Sequence, residues 1–189
     1  ELRRMAEYKT GKGRLFCSPD PDEARSFFRG KRQAQSDKVM TVEEAVSDLV
    51  KDGDYVASGG FGANRISAAG MHEIVRQRKR DLGFAGHTTT HDFQILAAGN
   101  RGGEKVLARV DAAYIVGLEA RGLSPQARRV MQSGEVEVCE WSNYSLAARF
   151  RAAAAGVPYT PIRSMLGTDT FERSAGIEVE CPFTGKKLL

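Results

Sequence analysis

A chain of 189 residues, 41% hydrophobic and 28% charged, carries apolar material for one globular domain and an appendage, not for two full domains. The formal net charge is +4, but 28 Lys and Arg stand against 24 Asp and Glu spread through the chain, a balance that suits small anionic ligands at least as well as nucleic acid. Charged residues interrupt every long apolar stretch, which excludes a membrane-spanning helix; Cys17, Cys139 and Cys181 lie far apart without a CxxC, which argues against a disulfide framework and a structural zinc site and favours a reducing, cytoplasmic setting.

Both ends read as cut or processed. The chain starts Glu1-Leu2-Arg3-Arg4 without an initiator Met, and it stops at Leu189 just as a new apolar segment begins, so more sequence is expected beyond that point. Residues 1–40 read as a polar N-terminal arm with one short helix, Glu23 to Phe28, started by Pro19-Asp20-Pro21-Asp22. Residues 41–189 read as the domain. Its first helix, Thr41 to Val50, opens on a capping box of Thr41 and Glu44 and carries an apolar stripe of Val42, Ala45, Val46, Leu49 and Val50. Tyr55–Ser58 then reads as a strand that runs into Gly59-Gly60-Phe61-Gly62 and a helix from about Ile66 to Arg80, the start of a βαβ unit.

The alternation continues with a strand at Leu82–Gly86, a helix at Asp92–Ala98 and a strand at Asp111–Val116. A helix at Ser124–Gln132 with Pro125 in its first turn, a strand at Val136–Glu140 and an alanine-rich helix at Tyr144–Ala155 follow. This order predicts an α/β fold: an open, mostly parallel sheet with helices on both faces and the ligand beyond the carboxyl ends of the strands.

Gly59-Gly60-Phe61-Gly62 is the most informative tetrapeptide. Glycines at a strand end let the backbone approach a ligand, and the helix start behind them offers free N–H groups to a carboxylate or phosphate; Asn64 and Arg65 add an amide and a guanidinium nearby. The competing reading is a tight turn with surface capping of the helix. His87, His91 and Asp92 invite a metal, but lack a third well-spaced ligand, so Gly86 to Thr90 reads as a polar loop with Thr90 or His91 capping the next helix. His72 reads as a packed or surface histidine, and Arg76 to Arg80 as a solvated helix end, not a nucleic-acid site. Arg149 is a similar surface case unless drawn inward, and Trp141 and Ala152–Ala155 read as packing elements. Glu119 follows a predicted strand and is a candidate pocket acid or base, or else an ion-pair partner of Arg121.

Asp52-Gly53-Asp54-Tyr55-Val56-Ala57-Ser58-Gly59-Gly60-Phe61 resembles the signature of the α subunit of family I coenzyme A transferases. Arg65 stands where that signature has Gly, and Ser67 where it has Pro. A second stretch, Glu140-Trp141-Ser142-Asn143 through Gly156-Val157-Pro158 to Leu166-Gly167-Thr168-Asp169, is similar to the α subunit of glutaconate-type members, and the two stretches together cover residues 40–187. The resemblance implies transfer of CoA from an acyl-CoA to a carboxylate through a glutamate that becomes an acyl anhydride and then a glutamyl-CoA thioester. In two-chain members that glutamate lies in a Ser-Glu-Asn-Gly-like motif of the β subunit, and no such motif occurs here.

The resemblance therefore implies half of an active site, completed by a β subunit in a hetero-oligomer, with Gly59, Gly60, Phe61, Gly62, Asn64, Arg65 and Asn143 nearest the substrate. CoA and acyl-CoA enter as substrates, and no tightly bound cofactor, metal, nucleic acid or membrane is expected. Two alternatives stay open: a CoA-dependent hydrolase on the same scaffold, and a non-catalytic nucleotide- or anion-binding module.

Overall fold

The capping box of Thr41 and Glu44 forms as its sequence predicts. In the computed structural model, which describes residues 8–15, 18–60, 63–115, 122 and 124–189, Thr41 Oγ1 accepts from the Glu44 N–H at 3.1 Å and Glu44 Oε2 accepts from the Thr41 N–H at 2.8 Å. The elements in chain order are α1 (Pro21–Arg29), α2 (Val42–Leu49), β1 (Tyr55–Ser58), α3 (Ala68–Arg76), β2 (Leu82–Thr89), α4 (His91–Gly99) and β3 (Leu107–Ile115). They continue with α5 (Pro125–Gln132), β4 (Glu137–Glu140), α6 (Asn143–Ala154), α7 (Asp169–Glu172), β5 (Val179–Glu180) and β6 (Lys187–Leu188).

β1 to β4 form one parallel sheet in the order β1-β2-β3-β4. Right-handed crossovers between successive neighbours put all their helices on one face, and α2, α3, α4 and α5 do lie side by side there. Val46, Met71, Ile74, Phe93, Leu96 and Val130 from these helices close on Leu82, Phe84, Leu107 and Val110 of the sheet as the larger core. α6 covers the other face over β2 and β3, beside a smaller core of Cys139, Trp141, Leu146, Ile162, Met165, Phe171 and Leu189. Both faces are thus covered by helices, the expected class.

Three boundaries differ from the sequence reading. α3 ends at Arg76 because Arg78 takes a left-handed φ of 54°, so the basic run Gln77–Arg80 is a turn. Three arginines in and beside it are paired: Arg76 with Glu73, Arg78 with Glu104 at 3.6 Å and Arg80 with Asp52 at 3.4 Å. β2 does not stop at Gly86: Thr88 pairs with Tyr114 and Thr89 with Ile115, so most of the expected polar loop is strand. β3 begins four residues before Asp111, at Leu107, because an arginine and an aspartate inside a strand conceal its apolar pattern.

One irregularity sits in β3. Leu82 pairs with Leu107 but Gly83 pairs with Arg109, so Ala108 is an extra residue that forms a β-bulge. Leu107 and Val110 can then both face the larger core, while Arg109 and Asp111 face α6.

The N-terminal arm has two parts. The Lys9–Gly13 segment is strapped to the domain: the N–H groups of Gly11, Lys12 and Gly13 donate to the carbonyls of Gly176, Glu172 and Ser174 at 2.8–2.9 Å, and the Glu178 N–H donates to Lys9 O at 2.8 Å. That partner segment meets the β4 edge through the Glu140 N–H to Arg173 O bond of 3.2 Å. α1 buries none of its residues, and Phe27 and Phe28 lie exposed under the Lys31 ammonium at 4.6 and 5.0 Å.

Candidate functional site

The four strands point the same way, with β1 and β4 ending at one row and β2 and β3 running three residues beyond it. Ser58, Gly86, Ala112 and Glu140 form one row across β1, β2, β3 and β4, so the segments after them open at the same end of the sheet. Gly59, Gly60, Asn64 and Arg65 stand exposed at the β1 end and Asn143 exposed at the β4 end. These are opposite edges of the sheet. Three strand spacings, roughly 14 Å, separate them, so the structure places the expected residues at the two ends of one rim and not in contact. Phe61, Gly62 and Glu119 lie outside the described residues.

Two described residues that flank the end of β1 have unusual backbone conformations. Gly60 takes φ 138°, a conformation open to glycine, and a side chain there would press on Arg65 O at 2.5 Å. Arg65 itself takes φ 57°, so the position where the signature has Gly keeps the left-handed conformation that a Gly would adopt freely. Ser67, in place of the signature's Pro, is the N-cap residue of α3. The Ser58 hydroxyl is buried at this turn with no hydrogen-bond partner among the described residues, and buried polar groups of that kind are rare. Because the Arg65 side chain is exposed, Arg65→Gly is expected to stabilise the fold by roughly 0.5–1 kcal/mol, read by urea denaturation; an equal loss would show that the guanidinium contributes a contact.

Under the rim lies a charged network that the sequence reading missed. Asp111, fully buried in β3, accepts from Arg109 Nε at 2.9 Å and Nη2 at 3.1 Å, Tyr55 Oη at 2.9 Å, Trp141 Nε1 at 2.8 Å and Arg149 Nη1 at 3.3 Å. The Arg149 guanidinium also stacks over the Trp141 ring, 4.1 Å from its centroid, so Arg149 is indeed drawn inward. Glu137 bridges Arg109 at 3.5 Å to Arg14 at 2.8 Å. Burial alone would push the Asp111 carboxyl up; the Arg109 hydrogen bonds, the Arg149 charge and the Trp141 N–H outweigh it and hold the group below its ordinary range. The Tyr55 hydroxyl is pushed up by burial and then by the Asp111 charge. An acidic residue in a predicted strand was the available signal, because an unpaired carboxylate cannot sit in a sheet covered on both sides.

The two described cysteines differ sharply. Burial and then the Asp111 charge push the Cys139 thiol up to about 12, whereas the Thr184 hydroxyl and the Phe183 and Thr184 N–H groups lower that of Cys181 at the β5–β6 turn. Alkylation of the native protein near pH 8, mapped by peptide mass spectrometry, is therefore expected to modify Cys181 and spare Cys139 until denaturant is added.

The remaining candidates fall elsewhere. His87 lies in β2, within 3.3 Å of Thr88 Oγ1, and His91 opens α4, so the two histidines do not share a helix face. Thr90 occupies the N-cap position of α4, but Asp92 supplies the cap, accepting from the N–H groups of Thr90 and Phe93 at 2.8 and 2.9 Å. Among the described residues no group of three His, Cys, Asp or Glu could hold a metal, and no helix is long and apolar enough to cross a membrane. His72 is exposed, and the Ala152–Ala155 run is largely exposed instead of packed. Two clefts of about 460 and 660 Å³ lie at the opposite end of the sheet, and ion pairs such as Arg129–Glu135 and Arg78–Glu104 line them.

Comparison with known proteins decides the family. Residues 39–187 match the family model described as Coenzyme A transferase. The chain belongs to the coenzyme A transferase family. An uncharacterised protein of Archaeoglobus fulgidus is 47% identical over 98% of this chain and 41% of its own length. One subunit of the 3-oxoadipate CoA-transferase of Pseudomonas knackmussii is 32% identical over 80% of this chain and 52% of its own. The solved structure of a variant of the decarboxylase AibA/AibB superposes with a TM-score of 0.69 at 31% identity, over 79% of this chain and 55% of that one. The chain thus spans about half the length of the relatives it matches. The segment that resembles the signature of coenzyme A transferases is also the one where Gly60 and Arg65 take positive φ.

Proposed function

We propose that this chain is the α-type part of a family I CoA transferase that moves CoA between an acyl-CoA and a carboxylic acid, with the nucleophilic glutamate on a partner β subunit. The observation that carries this reading is the β1 turn, where the signature, the Gly60 conformation and the buried Ser58 hydroxyl coincide at the ligand end of a parallel sheet. A relative that is itself named as one subunit of a CoA-transferase supports the two-chain arrangement. This chain's share of the work is binding and orientation. The Gly59–Gly60 backbone allows close approach of the acyl or carboxylate group, Asn64 and Arg65 offer donors and a positive charge to it, and Asn143 meets the extended thioester from the far end of the rim. Phe61 and Gly62 belong to the same turn in sequence. The glutamate of the partner attacks the thioester carbonyl carbon, CoA leaves as thiolate, and the resulting anhydride is opened by that thiolate to release the carboxylate and leave glutamyl-CoA.

A solved structure named as a decarboxylase favours a second reading, in which the same scaffold handles an acyl-CoA without CoA exchange; the hydrolase alternative is tested in the same way. The full-length protein is isolated from its source, its composition is read by native mass spectrometry, and labelled CoA exchange is followed. The expected result is an equal copy of a second chain and exchange that requires an acceptor carboxylate. Thioester loss without an acceptor would establish hydrolysis, and CO2 release would establish decarboxylation. Tight ATP or NAD binding by this chain alone, without exchange, would point to the binding module.

A further inference from the structure

We infer that Trp141, gripped by Asp111 and Arg149, is the positioning residue for Asn143 at the ligand rim, an inference that rests on the proposed placement of Asn143 near the substrate. The grip has three parts. Asp111 Oδ1 accepts from Trp141 Nε1 at 2.8 Å and from Arg149 Nη1 at 3.3 Å, the Arg149 guanidinium covers the indole ring at 4.1 Å, and the Trp141 backbone N–H donates to Ala112 O at 3.0 Å. Trp141 and Arg149 lie on either side of Asn143 in sequence, one at the end of β4 and one in the second turn of α6, so a single carboxylate in β3 holds the segment from both directions. Between them Ser142 and Ser145 close the N-terminal box of α6, with Ser145 N–H to Ser142 Oγ at 3.1 Å and Ser142 N–H to Ser145 Oγ at 2.8 Å.

Asn143, the first residue of α6, is exposed at the β4 end of the rim, so its placement derives from these neighbours. A network of this size is more than packing requires. A buried carboxylate needs one good partner to be tolerated, and Asp111 already has the two-bond fork of Arg109. The bonds to Trp141 and Arg149 serve the rim segment, fixing the exit of β4 relative to the sheet that carries the β1 turn at its other edge.

Two measurements on the full-length protein test this. Trp141→Phe keeps an aromatic ring and removes the N–H, leaving Asp111 with Arg109, Tyr55 and Arg149; Arg149→Lys, at a partly exposed position, serves should the first variant fold poorly. Hydrogen exchange is expected to quicken at least tenfold at Trp141, Ser145 and Leu146, with the Leu82 and Gly83 amides of the sheet unchanged. Equal acceleration of both sets, or of neither, would overturn the inference. In the complex with its partner chain, the KM for the acceptor carboxylate is expected to rise about fivefold in Trp141→Phe with kcat retained, and to rise no further when Asn143→Ala is added. Additive effects would overturn the inference. If Asn143→Ala alone leaves KM unchanged, the placement of Asn143 at the substrate fails, and with it the functional part of the inference, while the exchange data still decide whether the grip exists.

Discussion

Asp111→Ala is expected to cost about 3–5 kcal/mol, enough to leave much of the protein unfolded at room temperature, because removing one member of a buried pair strands the others. Arg109, with its side chain only 5% exposed, would keep Glu137 at 3.5 Å but lose both bonds of its fork, and Tyr55 and Trp141 would each lose an acceptor. Urea denaturation followed by circular dichroism measures the loss, and a cost under 1 kcal/mol would mean that water or a neighbour replaces the carboxylate. The same group sets an acid limit. Its folded-state carboxyl lies below the ordinary value of 3.8, so the stabilisation is fully present above about pH 4 and drains away as pH falls through the folded value. The midpoint of urea unfolding is expected to be insensitive to Asp111 ionisation from pH 5 to 7 and to fall below pH 4, a fall that Asp111→Asn, with its lower starting stability, does not share in full.

Gly11→Ala carries the second large effect, roughly 2–4 kcal/mol, by a steric route. A methyl group at this position would overlap the Ser174 carbonyl and lie 2.6 Å from Phe171 O, and both obstacles are backbone, which cannot swing away as a side chain tip can. The Lys9–Gly13 strap must then lift, breaking its bonds to Glu172, Ser174, Gly176 and Glu178. Limited proteolysis should show new cleavage between Lys9 and Arg14 together with a lower midpoint in urea. Unchanged cleavage would mean that the strap shifts as a unit and keeps its register.

The two predictions also mark how far the amino-acid pattern can be read. The capping box at Thr41, the Pro125 start of α5 and the glycine turn after β1 are legible because each depends on a few adjacent residues whose chemistry has one common use. The strap is not, since Lys9–Gly13 has no strand pattern of its own and is fixed by carbonyls more than 150 positions away. Asp111 shows locally only that a carboxylate in a strand needs partners, not which ones: its donors come from β1, β3, the exit of β4 and α6, and nothing local announces that they converge. The rim residues stand between these cases. Gly60 and Arg65 emerge through the signature, and the left-handed Arg65 explains how a chain with arginine in place of glycine keeps the turn. Asn143 emerges too, but its distance across the sheet from that turn becomes visible only with the strand order.

The extra residue in β3 gives this strand unequal tolerance of length changes in its two directions. Deleting Ala108 would restore simple alternation with β2 and leave every later side chain on its present side, because Gly83 already pairs with Arg109 and Phe84 with Val110. One residue added between Arg109 and Val110 would instead turn the later side chains over, sending Asp111 among Phe84, Phe93 and Leu96 and Val110 among the arginines. Insertions in descendants of this sequence are therefore expected to accumulate around Arg101–Lys105 and Gly134 and to spare the interval from Arg109 to Asp111, whose reading frame decides which side of the sheet is oil and which is charge.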